Sequence, residues 1–155
     1  MIVSAWRIVM ETHAADAFSG EGARLYGGRW NSPGIPMVYT AGSRALAALE
    51  ILVHLDSPRL LSRFVLCEVL LNGTLVRDLS ADDIPMDWRF EPPPHSTQAV
   101  GDRWIKEAPS PVLHVPSVII AEESNYLLNP HHPDFAQIRI SKPRPFRFDP
   151  RLNRL

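Results

Sequence analysis

Residues 2–9, Ile-Val-Ser-Ala-Trp-Arg-Ile-Val, form an apolar run that predicts a first strand, hydrophobic enough for the interior of a sheet. Periodic apolar positions then stop, and residues 10–35 hold Gly20, Gly22, Gly27, Gly28, Pro33 and Gly34, the pattern of a long functional loop. A short strand is expected over 36–40. Ser43 then suits the N-cap of a helix running to about Leu55. In that helix Leu46, Leu49 and Val53 follow the spacing of a buried stripe, with Glu50 and His54 one turn apart beside it. Pro58 closes the element. The aliphatic run 63–71 ends in Asn72-Gly73, a strong hairpin signal, so Leu75 and Val76 are expected to begin the return strand. Prolines crowd residues 84–116, which reads as an ordered, loop-rich excursion and not a helix; Trp88, Phe90 and Trp104 argue against disorder. Further strands are expected at 112–115, 117–121, 137–140 and 145–148, with Asn129-Pro130 and His132-Pro133 punctuating the loop between them. One early helix and many short strands predict a single α+β domain over residues 1–155.

Composition narrows the function. At 155 residues and 45% apolar content the chain can bury roughly 68–70% of its unfolded surface in one core. The single Cys67 leaves no internal disulfide framework and no multi-cysteine zinc site, which fits a reducing cytosol. No signal-peptide pattern and no apolar run near the roughly 20 residues of a membrane span is present, so a soluble, cytoplasmic protein is expected. A net charge of −1 provides no basic field for phosphate neutralisation, which excludes direct DNA binding as the expected role.

Two familiar phosphate loops fail on spacing. After Gly20-Glu21-Gly22 the third glycine of a dinucleotide fingerprint falls on Leu25, and after Gly22 and Gly27 the P-loop lysine position holds Gly28. The weight shifts to Arg29, whose guanidinium matches phosphate bidentately and whose flanking glycines allow close approach, with Arg24 as an assistant. Tyr39, at a strand end, offers a ring for stacking and a hydroxyl for hydrogen bonding, and equally fits a core tyrosine. Glu50, between Leu49 and Ile51, is expected to be partly desolvated, as catalytic carboxylates commonly are. Ser117 can donate a hydroxyl to a ligand but lacks the setting of a hydrolase nucleophile. His131, His132 and Asp134 suit loop capping better than a metal site, because adjacent histidines in an extended segment point apart; no metal is expected.

Gly28-Arg29-Trp30-Asn31-Ser32-Pro33-Gly34 resembles a signature of the RES-domain family, whose name denotes arginine, glutamate and serine. The resemblance continues in Trp6-Arg7-Ile8, Val38-Tyr39, Leu49-Glu50, Gln98, Gly101-Asp102-Arg103-Trp104, Val115-Pro116-Ser117, Asn125-Tyr126-Leu127 and the close from Phe146 to Leu152. Ala121 departs from it, standing where many members place a proline. The resemblance implies an ADP-ribosyltransferase-like fold of the diphtheria-toxin kind and the toxin of a type II toxin–antitoxin pair. NAD+ would be its substrate, with no resident cofactor. It implies cleavage of the nicotinamide–ribose bond by hydrolysis or phosphorolysis, or alternatively ADP-ribosylation of a protein. The implied partner is an Xre-like helix-turn-helix antitoxin that blocks the site in a hetero-oligomer. Carried over, Arg29, Tyr39, Glu50 and Ser117 fall on functional positions, with Glu50, Arg29 and Tyr39 catalytic and Arg24 and Asn31 completing the expected substrate-binding set. The remaining alternative is a non-catalytic module that binds NAD+ or ADP-ribose.

Overall fold

The computed structural model describes residues 1–154. Its centre is the pairing of β1 (Ile2–Met10) with β3 (Phe64–Asn72), antiparallel in unbroken register from Ile2 against Asn72 to Met10 against Phe64. On the other side of β1 lie β2 (Val38–Ala41), then β6 (Ser124–Leu128), β5 (Val112–Pro116) and β4 (Val76–Asp78). Beyond β3 stand the short strands β7 (Arg139–Ile140) and β8 (Arg144–Phe146). Among the described residues the result is one eight-stranded mixed sheet in which only β4 and β5 pair in parallel. With three α-helices around it among the described residues, the fold is α+β, as expected.

Both faces of the central strands are covered, so successive side chains enter different clusters. Ile8, Phe64 and Leu66 pack with Trp6, Leu46 and Phe148, while Val9, Val65 and Cys67 pack on the opposite side. A third cluster, around Trp30, Met37, Trp104 and Leu127, ties the glycine-containing loop to the sheet.

Several expectations change. The loop over 10–35 carries a short helix, α1 (Glu21–Tyr26), bracketed by Gly20 and Gly27 at φ 78° and 72°. Helix α2 (Arg44–Leu52) begins as expected, with Ser43 Oγ accepting from the Leu46 amide at 3.1 Å. Its buried stripe is different: Leu46 and Ala47 are buried, whereas Leu49 is 36% and Val53 59% exposed. Nearly every residue from 45 to 53 is apolar, so periodicity alone leaves the phase of this helix open. Packing against Trp6 and Ile8 resolves it, and Glu50, one turn beyond Leu46, falls on the inward side.

Asn72-Gly73 makes no hairpin. Asn72 has φ −70° and accepts from the Thr74 amide, and the Gly73 amide bonds to the Met1 carbonyl. A type I′ turn needs positive φ at both central residues. The chain leaves β3 through a 3₁₀ turn and crosses to the far edge, where β4 joins β5. The proline-rich stretch contains the longest described helix, α3 (His95–Glu107), because its prolines flank the element without entering it. Thr97, Gly101 and Trp104 form its buried face. Residues 117–121 form a bend, and the strand is displaced to 124–128.

Candidate active site

A cavity of about 830 Å³ opens between β1, β2, α1, α2 and the turn at 27–30, a volume suited to a small-molecule ligand. Glu50 reaches it from α2, Tyr39 from β2, Arg7 from β1 and Asn125 from β6, while Arg29 closes one wall. The site is therefore assembled from four secondary-structure elements and a loop, all anchored to one sheet.

The loop owes its shape to small residues and to α3. The Gly28 amide bonds to the Asn31 carbonyl at 2.9 Å, and a Cβ on Gly28 would stand 2.7 Å from the Tyr39 hydroxyl. That hydroxyl donates to Asn31 Oδ1 at 2.6 Å and accepts from the Trp30 amide at 3.0 Å. Behind the loop, Gln98 Nε2 donates to the Gly28 carbonyl, and Asp102 accepts from both the amide and hydroxyl of Ser32. Tyr39 thus lends the cavity its ring, while its hydroxyl is committed to the loop. Burial pushes its phenol above the usual range, so it stays protonated.

Glu50 is held by two donors. Its Oε1 accepts from Ser117 Oγ at 3.2 Å and from Asn125 Nδ2 at 2.9 Å. Ser117 is completely buried, and its Oγ also accepts from the amides of Ile119 and Ile120. It reaches the cavity only through Glu50.

The two arginines of the cavity differ. Arg29, with its side chain 11% exposed, donates to the carbonyls of Trp88 and Phe90 and pairs with Glu91 at 2.6 Å. Arg7 donates Nε to the Ala17 carbonyl and Nη1 to the Tyr39 carbonyl, and no carboxylate pairs with it among the described residues. Burial pushes the Arg7 guanidinium below its usual range, opposed by nearby Cys67 and Asp16. A largely desolvated cation on a cavity wall, with no direct ion pair among the described residues, is suited to meet an anion.

Of the residues expected from sequence, Arg29, Tyr39 and Glu50 share the cavity and Ser117 backs it. Arg24 instead pairs with Glu21 at the surface, and buried Asn31 braces Tyr39 and the loop carbonyls. His132 caps the turn at Pro133–Gln137 through Asp134, as its loop-capping reading requires. Arg7 and Asn125 received no individual role from sequence. An arginine inside an apolar strand was a readable signal for the first; nothing local marks the second. Among the described residues, no three of His, Cys, Asp and Glu gather as ligands for a metal ion, and no helix is long and apolar enough to cross a membrane.

The RES domain matches residues 4–149. The chain belongs to the RES-domain family. Among RES-domain relatives, it is 40% identical over 148 residues to Toxin Res of Yersinia enterocolitica, covering 95% of this chain and 97% of the relative. It is 41% identical to the Prs ADP-ribosylating toxin of a Sphingobium species, with 99% of each chain covered. Its fold matches a chain from the crystal structure of the M. tuberculosis MbcT–MbcA toxin–antitoxin complex with a TM-score of 0.76. That match covers 99% of this chain and 88% of the other at 22% identity, a likeness of fold.

Proposed function

We propose that this RES-domain protein is the toxin of a toxin–antitoxin pair, that it has an ADP-ribosyltransferase-like fold, and that it consumes NAD+ in the cytoplasm by cleaving the nicotinamide–ribose bond. The observation that carries the reading is the Glu50 carboxylate, fixed by Ser117 and Asn125 at the wall of a cavity that also presents the Tyr39 ring and the Arg7 charge. Cleavage sends the bonding electrons to the ring nitrogen, so nicotinamide departs neutral and positive charge develops on the ribose. A fixed carboxylate beside the ribose stabilises that charge and orients the attacking water or phosphate oxygen. The Tyr39 ring stacks against nicotinamide, and Arg7 supplies a desolvated partner for the pyrophosphate. Arg29 meets a phosphate by exchanging Glu91 for it, and otherwise holds the 88–91 segment as a wall. Ser117 acts on the reaction through Glu50.

The 41% identical relative named as an ADP-ribosylating toxin supports a second reading, in which the same ribose cation is captured by a protein side chain. An Xre-like antitoxin covering the cavity is the proposed partner; the toxin–antitoxin complex sharing this fold supports an antitoxin as the partner. Purified protein incubated with NAD+ should release nicotinamide, and Glu50→Gln should lower the rate about a hundredfold or more. Unchanged turnover in that variant would remove Glu50 from the mechanism. Added inorganic phosphate separates the outcomes: ADP-ribose signals hydrolysis, ADP-ribose 1″-phosphate signals phosphorolysis, and label on a polypeptide signals transfer.

A further inference from the structure

Among the described residues, both hydrogen bonds that reach the Glu50 carboxylate end on one oxygen, Oε1. The two donors are not equivalent. The Ser117 hydroxyl already accepts from two backbone amides, which leaves its proton directed at Glu50. Asn125 stands on β6 between Ala41 of β2 and Val115 of β5, whose side chains offer it no polar group. A carboxylate accepts hydrogen bonds, so the amide presents Nδ2 to Glu50, and this orientation leaves Oδ1 buried without a partner. An unmet buried acceptor is destabilising, and a leucine of similar volume would avoid it. The bond to Glu50 is what the amide offers in return.

We propose that Asn125 is a positioning residue that locks Glu50 with Oε1 turned into the protein, so that Oε2 alone meets the substrate. The proposal rests on the reading that Glu50 performs the ribose chemistry. One donor sets a distance and still lets a carboxylate turn about its own axis. Two donors, from the end of β5 and from β6, also fix its plane, and a carboxylate fixed before the reaction spends nothing on reorganising during it. The other charged or titratable neighbours do not share this duty. His54 lies just past the end of α2; Arg7 is bonded to the Ala17 and Tyr39 carbonyls, and Arg29 to the Trp88 and Phe90 carbonyls and to Glu91.

Asn125→Leu removes donor and acceptor at similar volume, and Asn125→Ala removes both without adding a charge beside Glu50. In both, kcat for nicotinamide release should fall about ten- to a hundredfold, the effect of losing one hydrogen bond to a charged group, with KM nearly unchanged. Crystal structures of the two variants should show Glu50 displaced from Ser117 or divided among rotamers. A raised KM with unchanged kcat, or Glu50 unmoved in both variant structures, would overturn the proposal. A wild-type protein that releases no nicotinamide would defeat the underlying reading alone, because the variant structures would still decide whether Asn125 holds Glu50. If the leucine variant does not fold, the smaller alanine variant carries the same measurements.

Discussion

A methyl group added at Gly101 would run into the Trp30 carbonyl, a backbone atom that cannot turn aside. Gly101→Ala should therefore push α3 off the loop and destabilise the fold by about 1–3 kcal/mol or more, read from urea unfolding. Turnover should fall with it, since α3 also holds Gly28 and Ser32. An unchanged unfolding midpoint would show that the helix tolerates the shift. Tyr39 gives a second expectation at this scale. Its folded-state phenol titrates above the ordinary value of about 10, so above that pH the unfolded chain releases a proton that the folded protein retains. The unfolded state then binds fewer protons, and stability declines by about 1.4 kcal/mol per pH unit until the folded phenol also ionises. Tyr39→Phe should show a shallower alkaline decline; an identical slope would exclude Tyr39 as its source. The glycine-flanked arginine, the strand-end tyrosine and the helix glutamate were legible individually because each carries a distinctive side chain. Their commitments were not: the Tyr39 hydroxyl and the Arg29 fork are engaged by partners that only folding supplies.

Arg29 ties down the segment ahead of α3. Arg29 bonds two of its carbonyls and the Glu91 carboxylate at once, which uses the planar fork of a guanidinium. Lysine keeps the charge without that geometry. Arg29→Lys should speed hydrogen exchange of the Trp88 and Phe90 amides by about tenfold, and unaltered exchange would show that the segment stands by itself. Elements whose signals are short-range were readable, notably β1 and the Ser43 cap. Helix α3 is obscured by the prolines that crowd the stretch around it, although none lies within its 13 residues. The phase of α2 was open because apolar residues occupy almost all of its faces.

Ligand binding should stabilise the whole molecule. With Glu50→Gln to slow turnover, NAD+ at a hundred times its Kd should add about 2.7 kcal/mol, a rise in Tm of roughly 5–10 °C for a chain of this size. A melting temperature independent of NAD+ concentration would argue against a nucleotide cavity. At this scale the sequence by itself determined that the chain would build a mixed α+β domain, and which chemically distinctive residues were available to a site. Those properties follow from composition, local hydrogen bonds and periodicities that act over a few positions. The tertiary structure decided that Asn72-Gly73 turns away from a hairpin, that Glu50 faces inward, and that Arg7 stands desolvated on the same cavity. It also decided which donors hold Glu50, since Ser117 and Asn125 lie 67 and 75 positions away along the chain. Strand pairing brings them together because the sheet must bury both of its faces at once, a condition no local stretch of sequence can express.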